Sequence, residues 1–156
     1  MTKPVPSGFH TLTPHIIVND GLAAIEFYKK VFDAKENSRL MSPDGKTLMH
    51  AQLTIGDSAI MLASEFPPHS LSPKSRGGSS VYLHLYLPDA DATFDRAVQA
   101  GCAIRMPVSD TFWGDRYGCV EDPFGHQWSI ATHKHDYTQA QIEANAREFL
   151  ATMPKC

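Results

Sequence analysis

Tyr82-Leu83-His84-Leu85-Tyr86-Leu87-Pro88-Asp89-Ala90-Asp91-Ala92 decides the fold, because Thr13-Pro14-His15-Ile16-Ile17-Val18-Asn19-Asp20 runs in matching order earlier in the chain. Adding 69 carries Thr13 to Tyr82, His15 to His84, Ile16 to Leu85, Val18 to Leu87 and Asp20 to Asp89. Adding 68 carries Met61 to Ser129, in what reads as the closing strand of each half. An offset that holds through strand, helix and hairpin marks an internal repeat.

Working outward, Thr11 to Val18 reads as a strand, followed by a helix with Asn19 or Asp20 as N-cap. Leu22, Ile25, Phe27, Tyr28, Val31 and Phe32 recur near helical spacing. Ser42-Pro43-Asp44-Gly45 signals a hairpin, and two strands lie beyond it, Leu48 to Ile55 and Ser58 to Ala63, joined at Gly56-Asp57. Residues 65–79, rich in Pro and Ser, read as a linker with Gly77-Gly78 as a hinge. The order then repeats. Val81 to Leu87 alternates as a strand, Asp89 to Ala100 is a helix capped by Asp89, and Gly101 sits at its end. Short strands flank Gly114 and Gly118, and the turn Asp122-Pro123-Phe124-Gly125 leads into the strand Gln127 to Thr132. The expectation is an α+β chain with one domain over 9–133, made of βαβββ modules at 9–64 and 80–133. A helix over 138–153 follows.

At 156 residues with 42% hydrophobic and 20% charged residues, the composition suits one globular domain. A net charge of −3 and the lack of a Lys/Arg cluster leave no electrostatic footprint for nucleic acid. No stretch approaches the ~20 apolar residues that span a bilayer, and residues 1–8 do not read as a signal peptide. Cys102, Cys119 and Cys156 make an odd count with no CxxC pair, which argues for a reducing, cytoplasmic compartment.

Three stretches carry a resemblance. Ala24-Ile25-Glu26-Phe27-Tyr28-Lys29-Lys30-Val31-Phe32 is similar to the first-helix signature of the vicinal oxygen chelate superfamily, which includes glyoxalase I, bleomycin-resistance proteins and extradiol dioxygenases. Leu87-Pro88-Asp89-Ala90-Asp91-Ala92 with Ala100-Gly101 resembles its second helix. Trp113-Gly114-Asp115-Arg116-Tyr117-Gly118 followed by Asp122-Pro123-Phe124-Gly125-His126 resembles the hairpin and closing turn of its glyoxalase/bleomycin-resistance branch. The likeness covers roughly residues 9–133. It implies two βαβββ modules forming an incomplete barrel around a cavity, usually in a homodimer.

Strand alternation then selects the residues that face such a cavity. With Ile16 and Val18 turned toward the helix, Thr11, Thr13 and His15 face the other way. So do His50, Gln52 and Thr54, opposed by Met49, Ala51, Leu53 and Ile55. Tyr82, His84 and Tyr86 oppose the apolar set Val81, Leu83, Leu85 and Leu87, and Met61 and Ser129 fall inside from the closing strands. Trp113 and Phe112 offer stacking surface, although packing of the hairpin is the better reading for Phe112. The expected ligand-binding set is Thr13, His15, His50, Gln52, Met61, Tyr82, His84, Tyr86, Trp113 and Ser129.

Members of the family with metal chemistry take one His, Gln or Glu ligand from each of four inward strand positions. The resemblance puts those positions at Thr13, Met61, Tyr82 and Ser129, none of which is a customary ligand of a divalent ion. A one-residue slip would turn the side chains toward the helices. No metal and no cofactor is therefore expected, and lyase, dioxygenase and epoxide-opening chemistry lose their Lewis acid. Cys102 follows a helix C-terminus, where nothing lowers its pKa. Cys119 has no neighbouring His in sequence, and Ser129 needs His84 or His50 as a base. The leading reading is a small-molecule-binding protein that holds an aromatic or antibiotic-like ligand, as bleomycin-resistance relatives do. One alternative is a metal-dependent lyase or isomerase built on His15, His50 and His84. Another is a partner-binding domain that uses Ile142, Ala146, Phe149 and Leu150, a spacing that also serves packing within the chain.

Overall fold

Asp20 and Asp89 cap two helices in the same way. In the computed structural model, which describes residues 2–153, each acid has extended backbone angles. Its carboxylate accepts the N–H three residues on, Ala23 at 3.0 Å and Ala92 at 2.9 Å. The elements run β1 (His15–Val18), α1 (Gly21–Phe32), β2 (Lys35–Met41), β3 (Leu48–Ile55), β4 (Ser58–Ser64) and α2 (Pro73–Arg76). They continue β5 (Tyr82–Tyr86), α3 (Ala90–Gln99), β6 (Ala103–Asp110), β7 (Asp115–Glu121), β8 (Gln127–His133) and α4 (Gln139–Thr152). Cys156 lies outside the described residues. Among those residues, no helix is long and apolar enough to cross a membrane.

The strands form two four-stranded sheets of matching order, β1-β4-β3-β2 and β5-β8-β7-β6. In each, the first and last strands of the module pair in parallel, with His15 opposite Met61 and His84 opposite Ser129. These are the residues that the two sequence offsets equate, so the repeat holds at the level of register. The fold is α+β, two βαβββ modules.

The chain divides into two compact units, the first reaching to Val81 and including Pro123–His126, the second made of Tyr82–Asp122 and the chain from Gln127 onward. In the first unit α1 buries Ala24, Ile25, Tyr28, Val31 and Phe32 against a sheet that contributes Val18, Leu48, Leu53 and Leu62. Gly21 is a contact point, because a Cβ there would lie 2.6 Å from Leu48 Cδ2. Phe124 joins this core edge-on to Phe27 and Tyr28, and His126 Nε2 lies 2.8 Å from the Ile17 carbonyl oxygen. In the second unit α3 buries Phe94 and Ala97 over a sheet that contributes Val120, Trp128 and Ile130. A Cβ on Gly118 would meet Phe94 at 2.9 Å and Val108 at 2.8 Å, so this residue sits within β7 under the helix rather than in a gap between strands.

Four further expectations change. The first strand starts at His15, and Thr11 and Thr13 precede it; Thr13 Oγ1 donates to the His10 carbonyl at 3.3 Å. Val81 is 60% exposed rather than packed under a helix, because β5 starts one residue later, where Tyr82 pairs with Gln127. Met49 is 53% exposed, against its expected burial with Ala51 and Leu53. The pairing steps from Leu40–His50 to Met41–Leu48, so Met49 is the extra residue of a bulge, which re-aims its side chain. The stretch read as a linker contains α2, whose cap Ser72 is fully buried. The Glu65 carboxylate accepts from Ser72 N and Ser75 Oγ, both at 2.8 Å, and holds this turn down.

Helix α4 has a capping box between Thr138 and Gln141 and no buried residue. Phe149 meets Phe112 at 5.5 Å between ring centres, and Asn145 Nδ2 donates to the Phe112 carbonyl at 3.1 Å. Phe112 and Phe149 thus pack together within the second unit.

Candidate functional site

The expected site residues gather as two sets, one on each sheet. In the first unit, the face of the sheet away from α1 carries His15, His50, Gln52 and Met61. Met61 on β4 pairs with His15 on one side and Gln52 on the other. His50 reaches the same region, its ring 5.5 Å from that of His15 at an interplanar angle of 79°. His15 is exposed at its edge, yet partial burial of the ring, and second the charge of His50, lowers its pKa. Thr13 lies outside the ladder.

In the second unit, the face away from α3 is aromatic. His84 lies 4.5 Å from Tyr86 and stacks at 5.9 Å on Tyr117, which in turn meets Trp113 edge-on at 5.5 Å. The Tyr117 and Ser129 hydroxyls are 2.9 Å apart. Tyr82 stands at the end of the same face, 57% exposed and paired with Gln127.

Asp115 ties this wall together. Only 2% exposed, its carboxylate accepts from Trp113 Nε1 at 3.0 Å and Tyr86 Oη at 3.1 Å, and lies 2.8 Å from His133 Nδ1. Burial and this carboxylate raise the Tyr86 pKa. The other nitrogen of His133 is 2.9 Å from Asp136. The Asp136 bond first, then the Asp115 bond, raises the His133 pKa above its usual 6.5. Asp115, Tyr117 and His133 were absent from the expected set. A signal was available, since Asp115, Tyr117 and Cys119 alternate along β7 and share the face of Ser129.

A raised imidazole pKa has a definite sign in stability. The bonds of His133⁺ contribute fully below the unfolded value of 6.5 and are lost as pH rises through the higher folded value. Wild type should therefore be more thermally stable than His133→Gln near about pH 5.5, with the gap closing toward about pH 8.5. Melting curves of both proteins across that range check this, and a gap that widens as pH rises would contradict it.

Neither Cys102 nor Cys119 is poised for attack. Burial, then the charge of Asp122, pushes the Cys102 thiol up to about 12, and burial raises Cys119 as well. The Ser129 hydroxyl is paired with a phenol, which does not activate it as an imidazole would. A cleft of about 260 Å³ beside Asp115, lined by Asp110, Thr111, Gly114, Lys134, His135 and Tyr137, falls below the usual range for ligand pockets.

The positions that the family resemblance assigns to a divalent ion carry only part of its customary ligand set. The register sets His15, not Thr13, beside Met61, and His84, not Tyr82, beside Ser129. That puts an imidazole at two of the four positions and a carboxylate, the donor a hard divalent ion favours, at none. Among the described residues, no three His, Cys, Asp or Glu side chains are grouped to hold an ion.

Comparison with known proteins agrees with this architecture. An uncharacterised protein of Mycobacterium bovis is 44% identical over 137 residues, 85% of this chain and 90% of its own. Protein YjdN of Escherichia coli is 31% identical over 116 residues, 73% of this chain and 76% of its own. Among solved structures, TioX from Micromonospora sp. ML1 matches with a TM-score of 0.62 at 26% identity, covering 83% of this chain and 100% of TioX. The model of the glyoxalase/bleomycin resistance protein/dioxygenase superfamily matches residues 8–130, and the chain belongs to that superfamily.

Proposed function

We propose that this chain binds a small planar aromatic compound, such as an antibiotic-like molecule, and sequesters it without the family's customary divalent ion. The observation that carries this reading is the wall formed by His84, Tyr86, Tyr117 and Trp113, two of whose members are anchored on the buried Asp115. Rings fixed in place lose little entropy when a ligand stacks on them, and each well-placed aromatic pair adds about 0.5–1.5 kcal/mol beyond area burial. Ser129, Gln127 and Tyr82 would supply polar contacts and an outer edge. On the first unit's own sheet, His15, His50, Gln52 and Met61 form a separate set that offers imidazole, amide and thioether contacts.

A thermal-shift screen of planar heteroaromatics such as acridines and quinolines is the first test, since a ligand at ~100 times its dissociation constant adds about 2.7 kcal/mol of stability. For any hit, Trp113→Ala and Tyr86→Ala should each weaken binding by about 1–3 kcal/mol, roughly 5- to 150-fold. Hits whose affinity ignores both substitutions would place the site elsewhere.

A second copy of the chain is the proposed partner. Strand β6 lies at the edge of its sheet with no residue buried, and it exposes Ile104 and Met106. Such an edge invites pairing or cover. Sedimentation at micromolar concentration should return twice the 17.2 kDa chain mass, whereas a stable monomer would contradict the dimer.

A further inference from the structure

We propose that His15, His50 and Met61 form a binding site for a soft monovalent cation, Cu(I), on the open face of the first unit's sheet. This goes beyond the aromatic-ligand reading and does not depend on it. Strand β4 lies between β1 and β3, so Met61 pairs with His15 on one side and Gln52 on the other. His50, two residues before Gln52, is on the same face and diagonal to Met61, within reach of a long side chain. The two imidazoles lean toward each other over β4, 5.5 Å between centres. A ring bound through nitrogen at ~2.0 Å has its centre roughly 3 Å from the ion, so two rings sharing one ion at a trigonal angle stand about 5–5.5 Å apart. The observed spacing fits that arrangement.

Donor chemistry selects the ion. A thioether is a poor ligand for Zn²⁺ or Mn²⁺ and a good one for Cu(I), and imidazole suits copper equally well. All three donors are neutral in the ligating form. A monovalent ion leaves one positive charge on the half-buried face, and a divalent ion would leave two with no carboxylate to offset them. The customary divalent site is therefore replaced here by softer donors taken from one sheet. No redox or covalent step is involved, only coordination.

The test uses the full chain prepared with selenomethionine and titrated anaerobically with Cu(I) against a chromogenic chelator. We expect one Cu(I) per chain. Copper-edge X-ray absorption should show a selenium neighbour with nitrogen ligands, which distinguishes methionine from the three cysteines of the sequence. Met61→Leu conserves volume and leaves the fold intact. It should remove the selenium shell and weaken Cu(I) at least tenfold while leaving the weaker Zn(II) binding unchanged. His50→Gln should weaken Cu(I) at least as much. A sulfur-only shell from cysteine, or Cu(I) affinity unchanged by Met61→Leu, would overturn the proposal. So would Zn(II) binding as tight as Cu(I) and insensitive to Met61.

Discussion

Trp128→Ala should destabilise the protein by roughly 3–5 kcal/mol, the range for truncating a large buried aromatic. Trp128 is 1% exposed at the centre of the second sheet, paired with Leu83 on one side and Val120 on the other. Its loss would open a large void between strands whose neighbours, Val120 and Ile130, are fully buried and poorly placed to collapse into it. Two effects add. The indole N–H donates to Asp122 Oδ2 at 2.8 Å, and Asp122 is itself 2% exposed. Removing the donor weakens the solvation of a carboxylate that water cannot easily reach. Trp128→Phe separates the terms, since it keeps much of the volume and loses the bond; it should cost about half as much. Urea unfolding with an unchanged slope gives both numbers. A loss below about 1 kcal/mol for the alanine variant would mean that this side of the sheet is not a core.

Asp115→Ala should cost about 2–4 kcal/mol, by loss of charge-assisted bonds to a buried carboxylate. Three donors converge on it from Trp113, Tyr86 and His133, and they come from a turn and two strands. Asp115→Asn is expected to do little better, because an amide turns one of its two ends, a donor, toward groups that also donate. The variant has a second readout. The His133 pKa, followed by NMR of its ring protons, should fall but stay above the usual value, since the Asp136 bond that contributes most is retained. Release of Tyr86 and Trp113 should also weaken any stacking ligand more than either aromatic substitution alone. An Asp115→Ala protein with wild-type stability and an unmoved His133 titration would remove Asp115 from its central role.

What was legible in the sequence was local or periodic. The caps Asp20 and Asp89 each act within three residues, and alternation placed His84, Ser129, His15 and Met61 on the sheet faces away from the helices because side-chain direction follows from period two. Strand β2 left no such trace: Lys35–Met41 has no buried residue, so no alternation marks it. The Met49 bulge was hidden for a different reason, since it arises from how β2 pairs with β3 and not from either strand alone. Asp115 sat in plain view within Trp113-Gly114-Asp115-Arg116-Tyr117-Gly118, yet its role depends on Tyr86, 29 residues earlier, and His133, 18 residues later. Long-range convergence of donors on one carboxylate has no sequence period to reveal it.

The turn Pro123–His126 has a bearing on synthesis. It belongs to the first unit, with Phe124 against Phe27 and Tyr28 and the His126 ring on the Ile17 carbonyl. As the chain emerges from the ribosome, residues up to Val81 are finished 126 − 81 = 45 residues before that turn is complete. At about 5–20 residues per second this is a wait of roughly 2–9 s. During that interval Phe27 and Tyr28 lack the ring that covers them, leaving an apolar patch open to a chaperone or to a neighbouring nascent chain. Translation speed over residues 82–126 therefore sets how long the nascent chain carries that exposure.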